Sequence, residues 1–266
     1  MNKRNSYILG AVIAVIILVG VLSYYYLFVL PTSASIPAGV FVKVSNEDYA
    51  PLGKIEIYVQ SWIGCPVGAA ASWAIYLLIS HYGKVEYYAH YSDPYDKSAP
   101  NIPGLIFLNF TPNSSIDFHI AYLYNEYLNA TPNGTPIAVS QLIQVGEEEL
   151  EHDFPAPIAQ LIIKYETQVP IKQYGKPSAL YVSPPHLNFA ILITGPNGTY
   201  ILTTPLVNPK TLEGYNISYV MSHLSQIQSI VNGYEELYHA VYEDSYNPNT
   251  GVSCPLVILE SIKRVY

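Results

Sequence analysis

Residues 54–83, KIEIYVQSWIGCPVGAAASWAIYLLISHYG, constrain the fold more than any other stretch. Ile55 to Val59 is rich in β formers and reads as a strand. Ser61-Trp62-Ile63-Gly64 turns the chain. Pro66 suits the first turn of a helix, where no intrahelical N–H bond is lost, and Ala69 to Ile79 carries that helix on. Gly83 stands where a helix-ending glycine belongs. The helix has no polar face, and a helix apolar all round is buried on both sides. It needs a sheet on one side and further protein, or a partner, on the other. Cys65 falls at its N-terminus. Free N–H groups and the helix dipole favour an anion there, so the sequence predicts a lowered thiol pKa.

A strand, Cys-Pro and a helix in that order resemble the active-site arrangement of thioredoxin folds. The motif there is Cys-Pro-x-Cys, whereas this chain has Cys65-Pro66-Val67-Gly68. The second cysteine is missing, so dithiol chemistry has no partner within the motif. The fold class expected is α/β: a thioredoxin-like fold with insertions, preceded by one N-terminal transmembrane helix.

The anchor is read from Tyr7 to Leu30, which carries no charged residue. About 20 apolar residues span a bilayer. Lys3 and Arg4 precede the segment, which puts the N-terminus in the cytoplasm and the main domain outside the cell membrane. A signal peptide is the rival reading, with Thr32 to Ser35 open to cleavage; its apolar core is usually about 7–15 residues, shorter than this one. Asn-x-Ser/Thr sequons at Asn109, Asn113, Asn129, Asn133, Asn197 and Asn216 fit an exported, N-glycosylated domain. Only 12% of residues are charged, while 26 are tyrosine. Such a surface is polar through hydroxyls, amides and sugars. The net charge of −8 argues against nucleic acid as a partner. The division expected is a tip and anchor over 1–30, a tether over 31–53 that becomes a strand at Val40 to Val44, and a domain over 54–266 with an insertion around 111–180.

Val85 to Tyr91 reads as the next strand, forming a right-handed crossover unit with the first strand and its helix. Ile102 to Phe110 and Ile116 to Tyr124 read as strands. Glu147, Glu148, Glu149, Glu151 and Asp153 read as a solvated helix start, without the regular spacing of a cation loop. A helix continues over Ile158 to Glu166 around Pro157. Ser183-Pro184-Pro185 leads into a strand over Asn188 to Thr194. Gly195-Pro196-Asn197-Gly198 is a tight turn, Thr199 to Thr204 returns, and Asn208 to Ile230 reads as a helical region. That order matches the second half of a thioredoxin fold, where a cis proline faces the cysteine; Pro185 or Pro184 is the candidate.

Cys65 is the candidate catalytic residue, with a structural role as its rival. The chain has two cysteines, and an oxidising exterior favours their pairing. A Cys65–Cys254 disulfide is therefore expected, closing a long loop worth about 5 kcal/mol in the chain-entropy account. The seven histidines, at 81, 90, 119, 152, 186, 223 and 239, show no metal spacing. No metal or cofactor is expected. His186 follows the prolines and could stand near Cys65, although an ordinary surface histidine is the expected role.

Gly64-Cys65-Pro66, Ala70 to Leu77 around Trp73, Gly83, His90-Tyr91-Ser92, Tyr95, Ile102-Pro103 and the Gly195 to Tyr200 turn resemble the domain of unknown function 929 family over most of residues 54–230. These are membrane-anchored thioredoxin-like proteins of archaea and actinobacteria without a settled activity. The resemblance implies an extracytoplasmic thioredoxin-like domain. Two functional classes follow: a cell-surface binding or scaffold protein, with another membrane or surface protein as a possible partner, or a thiol-disulfide oxidoreductase or thiol-binding enzyme using Cys65.

Overall fold

The structure is a computed structural model and describes residues 35–245. The anchor expected over residues 7–30 lies outside the described residues. Among the described residues no helix is long and apolar enough to cross a membrane. Contacts divide the chain after Ala34, and everything described belongs to the second unit.

The elements in order are β1 (Val42–Ser45), β2 (Ile55–Ser61), α1 (Pro66–Ile79), β3 (Gly83–Tyr91), β4 (Pro103–Pro112), β5 (Ile116–Tyr122), α2 (Leu142–Asp153), α3 (Ala156–Thr167), α4 (Ser178–Tyr181), β6 (Ala190–Gly195), β7 (Gly198–Leu202), α5 (Ile217–Ser222) and α6 (Gln228–Ser245). The fold is mixed α/β. A five-stranded sheet runs β1-β7-β6-β2-β5, and β3 and β4 form a separate two-stranded sheet. β5 lies parallel to β2, with Ile55 opposite Ile116 and Ser61 opposite Tyr122. β6 is antiparallel to β2, β7 to β6 and β1 to β7.

Alternation along β2 sets up the two layers. Val59 and Ser61 face α1, together with Ala69, Ser72 and Ile75. Tyr58 faces the other way, edge-on to Phe154 at a centroid distance of 5.1 Å. α1 and α6 pack together on the first face. β6 is buried throughout, as an inner strand covered on both faces should be.

The all-apolar α1 meets the burial its sequence demands. Trp73 is fully buried; that alone is worth about 4–6 kcal/mol at 150–250 Å² of buried ring. Its indole N–H donates to the carbonyl of Pro103 at 2.7 Å. Ser72 is stitched to the same strand: Leu105 N–H donates to its hydroxyl at 2.8 Å, and that hydroxyl donates to Ala69 O at 2.7 Å. β4 thus lies directly on α1. A Cβ at Gly104 would stand 2.5 Å from Ala69 Cα and 2.6 Å from Ala69 Cβ.

The structure corrects several sequence expectations. β3 does not join the main sheet as a crossover partner of β2; that place belongs to β5, and β3 pairs with β4 instead. Lys84, Glu86 and Tyr88 on β3 are exposed, and a strand with a wet face is covered on one side only. The strand expected at Val40 to Val44 within the 31–53 stretch is present as β1, an edge strand of the sheet. Ile36 is also pinned: it donates to Pro170 O at 3.0 Å and accepts from Lys172 N–H at 2.8 Å. The acidic run lies in the middle and last turns of α2, not at a helix start. Pro157 opens α3 rather than interrupting a helix. The region 208–230 is broken into a 3₁₀ turn at Pro209–Leu212, the short α5 and the start of α6.

Gly104→Ala tests the α1–β4 approach. Overpacking of a tight core contact costs about 1–3 kcal/mol, so the urea midpoint falls while the slope holds. An unchanged midpoint would show that the two elements can separate freely.

Candidate functional site

Cys65 caps α1. Its backbone is extended, with φ −64° and ψ 117°, and Gly68 N–H donates to its Sγ at 3.2 Å. The turn that places it closes on a Cys65 N–H bond to Trp62 O of 3.0 Å. The location is the one expected from Pro66. The environment is not: Cys65 is 1% exposed, and among the described residues its thiol is in no disulfide.

Asn188, just ahead of β6, covers the sulfur. Sγ lies 3.6 Å from Asn188 O and 3.8 Å from Asn188 Oδ1, and the thiol donates there. The buried Trp62 indole N–H donates to the same Oδ1 at 3.5 Å. His186 stands edge-on to Trp62 at 5.6 Å between centroids. Opposite, the loop after β3 closes the turn, with Asp93 N–H donating to Gly64 O at 2.9 Å.

Burial dominates the electrostatics. It pushes the Cys65 thiol up to about 12. The Gly68 N–H, the Ser61 hydroxyl and the Val67 N–H all pull the other way, and Asp96 adds to the rise. The lowered pKa predicted from the helix N-terminus is therefore overturned. The donors are in place, but a charge here has no water. Cys65 is a neutral thiol across the physiological range.

Gly68 holds the position of a second motif cysteine. A Cβ there would lie 2.1 Å from Ser61 Oγ and 3.2 Å from Ser61 Cβ. The end of β2 has taken the room that a second thiol would need. A cavity of about 20 Å³ adjoins this contact, lined among others by Ser61, Gly68, Ser72, His90 and Tyr122. It has space for about one water molecule.

The peptide bond cis in this region is Ser183–Pro184, so of the two prolines Pro184 carries it and Pro185 does not. His186 Nδ1–H donates to Pro184 O at 2.6 Å. His186 is buried, not the surface residue expected, and its Nε2 has no partner. Burial lowers its pKa, with Pro184 O and the Asn188 side chain opposing, so the charged form is disfavoured. Cys254 lies outside the described residues, and with it the expected disulfide.

Glu166 escaped the sequence reading. It is fully buried on α3. Its Oε1 accepts from Asn188 N–H at 3.0 Å, Phe189 N–H at 3.2 Å and Ser178 Oγ at 3.3 Å. The signal was present, since Glu166 continues the buried face of Ile158 and Ile162 at a spacing of four. Asn188, Ser61 and Trp62 carried no comparable signal, because their roles come from distant chain segments meeting.

Of the other histidines, His90 lines the cavity beside Ser61 and Gly68. His90 pairs with Glu126 at 2.7 Å, His119 stacks on Tyr58 at 4.6 Å, and the ring of His223 stacks on Tyr219 at 4.1 Å. Among the described residues no group of three or more His, Cys, Asp or Glu could hold a metal ion. Of the sequon residues, Asn109, Asn113, Asn129, Asn133 and Asn216 are exposed and Asn197 is half-buried. The Asn197 Nδ2 donates to Glu243 O at 2.6 Å, a bond that a glycan would displace.

A double-mutant cycle reads the Ser61–Gly68 contact. Gly68→Ala alone is expected to cost about 1–3 kcal/mol. In a Ser61→Ala background, which removes the atom at 2.1 Å, the cost falls by at least about 1 kcal/mol. Additive effects in denaturant melts would dismiss the steric account of Gly68.

The family model described as Domain of unknown function (DUF929) matches residues 40–243. No curated protein and no solved structure matches the chain. The match runs from just ahead of β1 to near the end of α6, taking in Cys65 and everything that encloses it, and the chain belongs to the domain of unknown function 929 family.

Proposed function

We propose that this is a membrane-anchored, extracytoplasmic binding or scaffold protein built on a thioredoxin-like frame whose thiol site is closed. The connectivity supports the frame. The strands β5-β2-β6-β7 carry one parallel pair followed by antiparallel ones. α1 follows β2 through Cys65-Pro66, Pro184 has a cis bond ahead of β6, and α6 follows β7. Residues 7–30 serve as the anchor and the exposed sequons as glycan acceptors. Tyrosines rather than ions face any membrane or surface partner, with Tyr95 79% and Tyr127 52% exposed.

One observation carries the choice of binding over catalysis: Cys65 is enclosed, with its thiol turned to Asn188 O. Exchange needs an accessible thiolate. Burial withholds both conditions, and Ser61 occupies the room of a resolving cysteine.

The test is insulin reduction together with alkylation of Cys65, using the reduced, detergent-solubilised full chain at pH 7.5. No turnover is expected. Alkylation of Cys65 should be at least 100-fold slower in native than in denatured protein, because it waits on opening. Turnover that disappears in Cys65→Ser would establish the oxidoreductase instead.

A further inference from the structure

We propose that Glu166 is a proton-sensitive latch, which holds the segment over Cys65 closed in acid and loosens it as the carboxylate ionises. The proposal rests on the closed site described above and not on the surface-binding role.

The geometry is a chain of contacts across three elements. Glu166 projects from α3, and its Oε1 gathers the N–H groups of Asn188 and Phe189 and the hydroxyl of Ser178 on α4. Asn188 in turn presents its O and Oδ1 to Cys65 Sγ. One buried carboxyl group therefore fixes the backbone that encloses the thiol. Its other oxygen, Oε2, is buried and bonds to nothing. Among the described residues no Lys, Arg or His forms an ion pair with Glu166. An ionised carboxylate in this place has three donors but no countercharge.

The groups around it do not supply one. Ser178 is neutral. Tyr124, from the loop after β5, is driven up chiefly by burial and further by Glu166 itself and by Glu147 of α2. His186, on the covering segment, is turned to Pro184 O, and burial disfavours its charged form. Burial thus outweighs the donors and raises Glu166 to about 7, from an ordinary 4.5. A raised acid stabilises the closed state fully below its open-state pKa, and that stability is lost as pH rises through the closed-state value. The window is about pH 4.5 to 7. Opening lets water reach Glu166, and Cys65 is uncovered in the same movement.

The test compares alkylation of Cys65 in the reduced full chain with that in Glu166→Gln, peptide by peptide, from pH 5 to pH 8. The open thiol is chemically the same in both proteins, so the ratio of rates cancels thiol ionisation. The ratio of wild type to variant is expected to rise on the order of 50-fold across this range. A flat ratio would overturn the latch. Amide exchange on the wild type gives a second measurement that does not depend on the variant folding. Corrected for intrinsic rates, Asn188 and Phe189 should open more readily than Leu192 in the buried β6, and increasingly so up to about pH 7. Ser178→Ala, which removes a donor that favours the ionised form, should move that midpoint to higher pH. Opening of 188–189 only together with Leu192, or a midpoint unmoved in Ser178→Ala, would also overturn it. The insulin assay of the preceding section is independent of these outcomes.

Discussion

The structure depends on one constraint, the burial of a helix that has no polar side. α1 must be covered all round, and the parts of the fold follow from how that is done. The main sheet lies against it through Val59 and Ser61, the β3–β4 hairpin closes over Trp73 and, through Gly104, over Ala69, and α6 packs beside it. The hairpin is extra to the β2–α1–β5 unit, and it provides the cover that a helix with one wet face would not need. Small residues make the approaches possible. Ala69 meets Gly104, and Ala74 lies 3.3 Å from where a Cβ of Gly233 would be.

Cys65 goes where α1 goes. At the helix N-terminus two effects compete. The dipole and the free N–H groups favour a thiolate by about 0.3–2 kcal/mol. Removal from water opposes it more strongly: a thiol raised from 9 to about 12 reflects a net penalty of roughly 4 kcal/mol. The same strand–Cys-Pro–helix arrangement that activates a wet cysteine leaves a dry one inert. Glu166 shows the same contest nearby. Three donors do not hold its carboxyl at the ordinary value, because it is buried and, among the described residues, no cation pairs with it.

What was legible in the sequence was local. The strand–turn–helix unit around Cys65 came from Pro66, the apolar run and Gly83. The β6–β7 hairpin came from Gly195-Pro196-Asn197-Gly198. The break-up of 208–230 was also written locally, in Pro209, Gly214 and Asn216; the last caps α5 by accepting from Ser218 N–H at 2.8 Å. Pairing of distant segments was not legible. Alternation marks β3 and β1 as strands but does not say which sheet or partner each one joins. The burial of Cys65 depends on Asn188, 123 residues away in the chain, and no local pattern contains that. The dipole argument for its pKa needed only the helix start; the burial that overrides it needed the whole fold.

The central claim is that burial, not the helix N-terminus, sets the chemistry of Cys65. The most direct measurement is the ¹³Cβ chemical shift of Cys65 in the native, reduced chain with Cys254→Ser, followed by NMR from pH 5 to pH 10. The account predicts a thiol signal without a titration step over that range. A step at or below about pH 8, where an ordinary or dipole-activated cysteine ionises, would contradict it.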